Sequence, residues 1–187
     1  MSDASYDLDR HARVLSLDIR SRRVGYAVFE GPGLLLDWGV IRNRAALIQS
    51  LLDTFEPSVI VLRTIALGSI RDRSIVRRAI RRIRRKAKSV SIPSVLVSRA
   101  QIIRLFRQHV KPTKHEIAAI IAECFPGLAY RLPPRRKAWK AEHWNMCLFD
   151  SVAFGLTYFA RRVDDGAVNQ LLAGSKSFRR PLGGVAK

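Results

Sequence analysis

The sequence predicts an α/β fold in which a mixed five-stranded sheet, an antiparallel meander followed by parallel strands, is covered by helices. Three observations predict it: three short apolar runs separated by tight turns near the N-terminus, two later apolar runs separated by a segment of helical period, and helical spacing through most of the remainder. The 187 residues are 48% hydrophobic. This composition suits one domain with a sizeable core and excludes a disordered chain.

The first three strands are predicted from residues 13–41. Arg13–Asp18 (RVLSLD) is an apolar run that ends in a carboxylate, and Val24–Phe29 (VGYAVF) is the second run after a polar turn. Gly31-Pro32-Gly33 is a strong turn signal before the third strand, Leu34–Ile41. Short turns between neighbouring strands favour an antiparallel meander. Residues 1–12 are predicted to be a flexible leader.

The middle of the chain alternates between helix and strand. Residues 43–55 have helical spacing, with Asn43 as the expected N-cap. The runs Ser58–Leu62 and Ser94–Ser98 are continuous and apolar, which is typical of buried parallel strands. Between them, Ile70–Lys88 has one apolar stripe and arginine at most other positions. These segments predict a crossover helix between each pair of parallel strands.

The C-terminal half is predicted to be mainly helical. Arg99–Val110 has helical spacing, and Thr113-Lys114-His115-Glu116 fits a capping box that would start a helix running to Cys124. The proline-rich and cationic residues 126–139 are predicted to form a loop, and residues 142–161 the last helix. Residues 164–187 show little periodicity and are predicted to be a flexible tail, so the domain spans residues 13–163.

Charge is the most distinctive property of the composition. The chain has 34 Lys and Arg against 15 Asp and Glu, a net charge of +19. Residues 63–88 alone hold 11 basic residues and a single acid, Asp72. A solvated basic helix is the structural interpretation of this block, but its density favours contact with nucleic-acid phosphates. Acidic lipid is the other polyanion, although no separate basic amphipathic anchor is present and we expect no membrane partner.

Several other classes of protein and site are disfavoured. No run approaches the ~18 apolar residues of a membrane span, and the polar, acidic N-terminus is unlike a secretory signal, so we expect a soluble cytoplasmic protein. Cys124 and Cys147 form no CxxC pair. His143 and Cys147 have an i, i+4 spacing, but without a second pair of ligands this spacing is weak evidence for zinc.

Two carboxylates lie in apolar surroundings. Asp18 ends a strand that is expected in the middle of the sheet, and Asp150 lies on a helix whose neighbours three and four residues away are apolar. An ionised carboxylate there is costly unless a cation, hydrogen bonds or a metal compensates. Pairing with arginine is the structural alternative to a functional role for either residue.

Two segments resemble a known family. The stretch VLSLDIRSRRVGYAVFEG resembles the opening hairpin of RuvC-type Holliday-junction resolvases and their relatives in the RNase H-like superfamily, in which a strand ends in an Asp and a Gly begins the next strand. The stretch CLFDSVAFGLTY resembles their closing helix. The helix that opens at Thr113–Glu116 resembles the family helix that carries a basic residue toward the DNA, here Lys114. In element order the similarity runs from about Arg13 to Arg161.

The resemblance implies an RNase H-like fold, DNA as the partner and phosphodiester cleavage. In that family four carboxylates hold two Mg²⁺ ions, which Mn²⁺ can replace. Hard oxygen ligands suit these ions. By position, Asp18 and Asp150 would be the first and last metal ligands. Relatives often act as dimers, so a homodimer is an open expectation.

The chain departs from the family pattern at two ligand positions. The family has a Glu at the end of its fourth strand, where this chain has Arg63, and an Asp three residues before the last ligand, where this chain has Cys147. A cation at position 63 would repel a metal. Glu142 is the nearest acid that could substitute, provided that it lies in a loop, because eight helical residues span ~12 Å. Otherwise it is a helix-start carboxylate favoured by the helix dipole.

Basic and aromatic residues supply the predicted nucleic-acid contacts. Trp139 and Trp144 flank a cationic cluster and are open to base stacking or to core packing. The residues expected to hold the nucleic-acid backbone are Arg71, Arg73, Arg77, Arg78, Arg81, Arg82, Arg85, Arg135 and Arg136.

Two functions are therefore consistent with the sequence. The first is a metal-dependent endonuclease for branched or structured DNA, with Asp18, Asp150, Glu142 and Lys114 as catalytic residues. The second is a module of the same fold that binds DNA or RNA without cleaving it, and a role in RNA processing is a weaker third. A metal cluster completed by Glu142 or Asp72 would favour the enzyme. Pairing of Arg63 with Asp18 or Asp150 would favour the binding module.

Overall fold

The computed structural model describes residues 13–64, 70–107, 112–135, 139, 141–163 and 165–179, with only the backbone described for residues 70–73 and 179. The predicted leader, residues 1–12, lies outside the described residues. So do Arg136 and the side chains of Arg71, Asp72 and Arg73.

The sheet has five strands in the order β3-β2-β1-β4-β5. The first three strands pair antiparallel, and β1, β4 and β5 pair parallel. This arrangement confirms the predicted fold class. The strands are β1 Arg13–Ile19, β2 Arg23–Glu30, β3 Leu35–Arg42, β4 Val59–Arg63 and β5 Ser94–Val97.

Two helices cover one face of the sheet. They are α1, Ala45–Phe55, and α2, Ile70–Ser89. The apolar stripe of α2, which includes Ile80 and Ile83, packs with Leu15 and Leu17 of β1. Arginines occupy most of the exposed positions on the rest of α2, as its sequence predicts.

The remaining helices cover the other face. In chain order they are α3 Arg99–Phe106, α4 Lys114–Cys124, a 3-10 turn Pro126–Arg131, α5 Met146–Arg162, α6 Asp165–Ala173 and α7 Lys176–Arg179. Helix α5 is the centre of this layer and buries 12 of its residues. Within the residues described, no helix has the length and apolar character needed to cross a membrane.

Strand alternation decides which side chains of β1 face α5. Leu15, Leu17 and Ile19 belong to the core beneath α1 and α2, whereas Val14 belongs to the core beneath α5. Because side chains alternate along a strand, Asp18 points to the α5 face with Val14. The strand is paired on both sides and Asp18 is fully buried. The carboxylate is therefore placed under the helix that carries Asp150.

Three element predictions are corrected by the structure. Asn43 is not an N-cap, because α1 starts from Arg44 with no side-chain cap and the Asn43 amide bonds to Arg20 instead. Helix α3 ends at Phe106, earlier than predicted. Residues 165–179 are not a flexible tail, since they form α6 and α7 and bury Val168 and Leu172 in the core.

The capping box at the start of α4 is confirmed. The Thr113 hydroxyl accepts from the Glu116 N–H at 3.2 Å, and the Glu116 carboxylate accepts from the Thr113 N–H at 2.7 Å. This reciprocal pair satisfies two N–H groups that have no partner in the first turn. It fixes the start of the helix at Lys114.

Candidate functional site

A close approach between β2 and α5 brings the two predicted aspartates together. Gly25 of β2 is the register partner of Asp18. A Cβ atom on Gly25 would lie 2.0 Å from the carbonyl oxygen of Cys147, so only glycine allows the first turn of α5 to come this near. Asp150 follows one turn after Cys147. The two Asp-bearing segments, each of which resembles part of the RuvC-type family, are therefore in direct contact in the fold.

Arg20 lies between three carboxylates. Its Nε donates to Asp18 Oδ2 at 2.7 Å, its Nη1 to Glu142 Oε2 at 2.7 Å, and its Nη2 to Asp150 Oδ2 at 2.8 Å. Each nitrogen of the guanidinium therefore bonds a different carboxylate. Charge-assisted bonds of this length are among the strong hydrogen bonds of proteins.

Two further cations complete the cluster. Lys114 Nζ donates to Glu142 Oε1 at 2.8 Å and to Asp150 Oδ2 at 3.0 Å. Arg63 Nε lies 3.5 Å from Asp18 Oδ1, an ion-pair distance, although that oxygen has no hydrogen-bond partner. We call the residues Asp18, Arg20, Arg63, Lys114, Glu142 and Asp150 the carboxylate cluster.

Glu142 joins the cluster because it lies in a loop. Helix α5 begins at Met146, not at residue 142 as its sequence predicts. The loop is held by Asn145, whose amide donates to the Arg131 carbonyl at 3.0 Å. Glu142 therefore satisfies the geometric condition for sharing a metal ion with Asp150, namely that it lies in the loop before α5.

Burial and neighbouring charges shift the ionisation of the cluster. Burial raises the pKa of Asp18, and the Asp150 charge raises it further, against the opposing effect of Arg20 and Arg63. Burial also tends to raise the pKa of Glu142, but hydrogen bonds and charge from Lys114 and Arg20 bring that pKa below its usual value. Burial works against the charge on Arg20, yet the three carboxylates raise its pKa and keep it charged.

The RNase H-like fold implies divalent metal at this position, and the donor set fits it only in part. Asp18, Glu142 and Asp150 offer the hard oxygens that Mg²⁺ prefers. However, each of them gives one oxygen to Arg20. Among the residues that the structure describes, no three Asp, Glu, His or Cys side chains are arranged to hold one ion. With Arg20 in place, the cluster does not fit a metal.

Cys147 and His143 do not form a zinc pair. The Cys147 thiol is buried and donates to the Trp144 carbonyl at 3.0 Å, and burial raises the pKa of Cys147 to about 12. His143 Nδ1 instead accepts from the Asn145 N–H at 3.2 Å. Cys147 is thus a protonated core residue.

A cationic groove runs between α2 and the edge strand β5. It encloses about 1030 Å³. The Arg84 Nε donates to the Ser94 hydroxyl at 3.3 Å and ties the two walls together. The lining residues are Ser74, Arg77, Arg78, Arg81, Arg84, Arg85, Lys88, Ser91, Ile92, Pro93 and Ser94.

Four of the predicted arginines line this groove: Arg77, Arg78, Arg81 and Arg85. Arg82 lines a smaller depression of about 530 Å³ between α1 and α2, and Arg135 lines a third, of about 440 Å³, beside Lys114 and Glu142. Arg84 and Lys88 were not among the predicted contact residues, although their spacing from Arg77 and Arg81 along α2 indicates the same side of the helix.

The aromatic residues near the site are exposed to different degrees. Trp144 is 42% exposed, with the guanidinium of Arg23 5.3 Å and that of Arg131 6.0 Å from its ring centre. Trp139 is 79% exposed. Neither tryptophan is a core residue, so the packing alternative is wrong for both.

Arg20 is a site residue that the sequence analysis above does not predict. A signal was present, because a residue two positions after Asp18 at a strand end is placed toward the same side of the sheet. The sequence predicts only a polar turn for Arg20–Arg23, and it does not indicate which of these arginines compensates the buried carboxylates.

Comparisons with known proteins identify the fold. No protein-family model matches the sequence, and no curated protein matches it. Two structures of RuvC from Thermus thermophilus are similar to the chain, one of them in complex with a Holliday junction substrate. Their TM-scores are 0.56 for the complex and 0.57 for the other structure, at 17% and 19% identity, and each match covers 80% of this chain and 95% of RuvC.

A third similar structure is the yeast mitochondrial Holliday junction resolvase Ydc2. It has 13% identity and a TM-score of 0.42, and the match covers 87% of this chain and 82% of the resolvase. The RuvC matches confirm that this chain has a RuvC-like fold, as the two Asp-bearing segments indicate.

Proposed function

The fold that it shares with RuvC, and the charge on its surface, give the starting point: we propose that this protein binds structured nucleic acid, with branched DNA as the preferred ligand. The observation that carries the proposal is the groove between α2 and β5, which five arginines and one lysine line. Among the described residues that line it, none is a carboxylate that could neutralise them. Such a surface attracts phosphates and gains entropy when counterions are released.

The spacing of the groove cations suits an extended polyanion. Arg77, Arg81, Arg85 and Lys88 follow one another at intervals of three or four residues along α2. Successive cations are therefore offset by about 4.5–6 Å along the helix axis. A row of this kind follows a phosphate backbone over several nucleotides and does not select a single phosphate. The Ser91 and Ser94 hydroxyls add donors at one end.

A fluorescence-anisotropy titration tests the proposal. Labelled four-way junction, linear duplex and single strand are titrated with wild type and with Arg77→Glu/Arg81→Glu at several salt concentrations. We expect the double variant to bind at least about tenfold more weakly, with a salt slope smaller by roughly two phosphate contacts. Equal affinity for the junction and the duplex would contradict the preference for branched DNA.

A control separates the groove from net charge. Arg161→Glu/Arg162→Glu makes the same change of charge at the exposed end of α5, outside the groove. It should weaken binding much less than the groove variant. If the two variants behave alike, the groove is not the contact surface.

A second candidate function is divalent-metal-dependent cleavage of the bound DNA. The convergence of Asp18, Glu142, Asp150 and Lys114, from four separate parts of the chain, favours it. In this candidate Asp18 and Asp150 would hold Mg²⁺ or Mn²⁺, Glu142 would assist, and Lys114 would contact the scissile phosphate region. Such an arrangement would require Arg20 to leave the cluster.

The alternative to cleavage is a module that only binds. The contact between Arg63 and Asp18 supports it, whereas the likeness to resolvases does not favour it. Labelled junctions incubated with wild type and Asp18→Asn, each with Mg²⁺, Mn²⁺ or EDTA, distinguish the two. Cleavage by wild type that Asp18→Asn abolishes would establish the enzyme, and wild type that binds but never cuts would establish the module.

Two finer parts of the proposal concern assembly and cofactor. We propose that Mg²⁺ or Mn²⁺ is needed only for cleavage, so that EDTA leaves binding unchanged. We also propose a homodimer, which light scattering of the purified full chain would test with and without a four-way junction.

A further inference from the structure

We infer that Arg20 is the resident cation of the carboxylate cluster and competes with divalent metal for the same place. The inference concerns the occupancy of the cluster and does not depend on nucleic-acid binding by the groove.

The geometry of the guanidinium carries the inference. Its three nitrogens lie 2.7, 2.7 and 2.8 Å from oxygens of Asp18, Glu142 and Asp150. Three carboxylates repel one another unless a cation lies between them. Here that cation is covalently part of the chain, and it uses the oxygens that a metal ion would need.

The charges of the cluster balance without an added ion. Three carboxylates face Arg20, Lys114 and Arg63, and all of these cations lie within 4 Å of at least one carboxylate. A divalent ion added to this set would meet three positive groups at short range. Loss of Arg20 alone would leave one uncompensated negative charge at the centre.

Hydrogen bonds that do not involve the carboxylates hold the turn that carries Arg20 in place. The Arg20 N–H donates to the Arg23 carbonyl at 2.9 Å, and the Asn43 amide donates to the Arg20 carbonyl at 2.7 Å. The Asn43 N–H also donates to the Arg22 carbonyl at 3.0 Å. A preorganised guanidinium loses less freedom on pairing and so competes better with an ion. Its side chain is 24% exposed, which leaves a route to solvent.

In the described part of the chain, one buried carboxylate oxygen is compensated only by an ion pair, with Arg63 Nε at 3.5 Å. Asp18 is fully buried and its Oδ1 has no hydrogen-bond partner. Buried carboxylate oxygens without a donor are rare, and a cation relieves their cost. We expect this oxygen to become a metal ligand when Arg20 is removed.

Binding of Mn²⁺ to the full chain tests the inference. Titrations followed by electron paramagnetic resonance and by calorimetry compare wild type, Arg20→Gln and the control Arg22→Gln, which alters an exposed residue in the same turn. We expect Arg20→Gln to bind one Mn²⁺ at least about tenfold more tightly than wild type. Arg22→Gln should match wild type, and adding Asp150→Asn to Arg20→Gln should remove the new site.

Thermal melting gives a second reading. Because a ligand that binds only the folded state raises Tm, Mn²⁺ should raise the Tm of Arg20→Gln more than that of wild type. If Arg20→Gln does not fold, Arg20→Lys keeps the charge with a single donor group and should have a Mn²⁺ affinity above that of wild type. Wild type that binds Mn²⁺ as tightly as the Arg20 variants would overturn the inference, as would variants that gain no site.

Discussion

Gly25 lies opposite Asp18 in the β1–β2 ladder, and a Cβ atom at Gly25 would lie 2.0 Å from the Cys147 carbonyl oxygen. The glycine therefore serves packing and not backbone conformation, since its φ is not positive. It lets α5 rest on the hairpin at the point where Asp18 ends its strand. The position of Asp150 relative to Asp18 follows from this contact.

The first prediction is that Gly25→Ala displaces α5 and destabilises the protein. The atoms that the new methyl group would meet are backbone atoms of Cys147 and Leu148, which cannot rotate away. We expect the free energy of unfolding to fall by about 3 kcal/mol or more, at the upper end for overpacking. Urea unfolding measures it.

A glycine in open space provides the control. A Cβ atom at Gly33 would have no neighbour within 4 Å, so Gly33→Ala should leave stability nearly unchanged. If Gly25→Ala were as mild as Gly33→Ala, α5 would not depend on this contact.

The second prediction concerns Asn43, which holds the turn that carries Arg20. Its amide donates to the Arg20 carbonyl at 2.7 Å and more weakly to the Ser21 carbonyl at 3.5 Å, and Asn43→Ala removes both bonds. We expect a loss of about 1 kcal/mol in the free energy of unfolding. Asn43 is not a helix cap, so Asn43→Asp, which would be tolerated at an N-cap, should be as harmful as Asn43→Ala. A stable Asn43→Asp variant would contradict this role.

The order of the elements could be predicted from the sequence because it depends on local periodicity. Strand runs, turn glycines and the capping box at Thr113 are short-range patterns, and the resemblance identified the hairpin and the closing helix. The arrangement of Asp18 with Asp150 could be predicted only through that resemblance, because the two residues are separated by more than a hundred positions.

The errors arise where tertiary contacts outweigh local pattern. Residues 165–179 have too weak a period to predict helices, yet they pack Val168 and Leu172 onto α4 and α5. Asn43 is a residue type that favours N-caps, but in the folded chain its amide donates to the Arg20 carbonyl. The spacing of Arg20 from Asp18 places it on the same side of the sheet, but its bonds to Glu142 and Asp150 could not be predicted, because only the folded chain brings three carboxylates around it.

The third prediction is a pH-dependent anchor for the C-terminal helices. Glu123 accepts hydrogen bonds from the Ser175 hydroxyl at 2.7 Å, from the Ser177 N–H at 2.9 Å and from the Ser177 hydroxyl. Burial is the largest single effect and raises the pKa of Glu123, but the hydrogen bonds from Ser177, Ser175 and the Lys176 backbone together outweigh it and lower that pKa below its ordinary value of 4.5. The bonds therefore stabilise the fold above pH 4.5, and that stability is lost as the pH falls through the lowered pKa.

Glu123→Gln tests the anchor by thermal melting from pH 7 to pH 3. We expect it to be less stable than wild type at pH 7, by no more than about 1 kcal/mol because the site is largely solvated. The difference should shrink below pH 4.5. Ser177→Ala should produce a similar loss, and the double variant should lose less than the sum. A difference independent of pH would contradict the role of the carboxylate.

The final prediction is that Arg63→Glu makes the stability of the protein depend on divalent metal. The strand register places Arg63 next to Asp18, and its Nε lies 3.5 Å from the Oδ1 that has no hydrogen-bond partner. The substitution replaces a cation by a carboxylate and changes the charge of the cluster from zero to two negative charges. Because Asp18 is fully buried, the new repulsion is poorly screened. In EDTA we expect the free energy of unfolding to fall by about 1–3 kcal/mol.

Mg²⁺ or Mn²⁺ should recover part of that loss in Arg63→Glu and should have little effect on wild type, because binding to the folded state alone raises its stability. The matched control is Arg63→Gln, which removes the cation without adding a carboxylate and should respond to metal less than Arg63→Glu. Thermal melts of the three proteins over a series of metal concentrations measure the effect. Equal metal responses in Arg63→Glu and wild type would mean that position 63 does not face the cluster closely enough to serve as a ligand. A graded response, largest for Glu and smallest for Arg, would show that the charge at position 63 contributes, together with Arg20, to keeping metal ions away from the carboxylates.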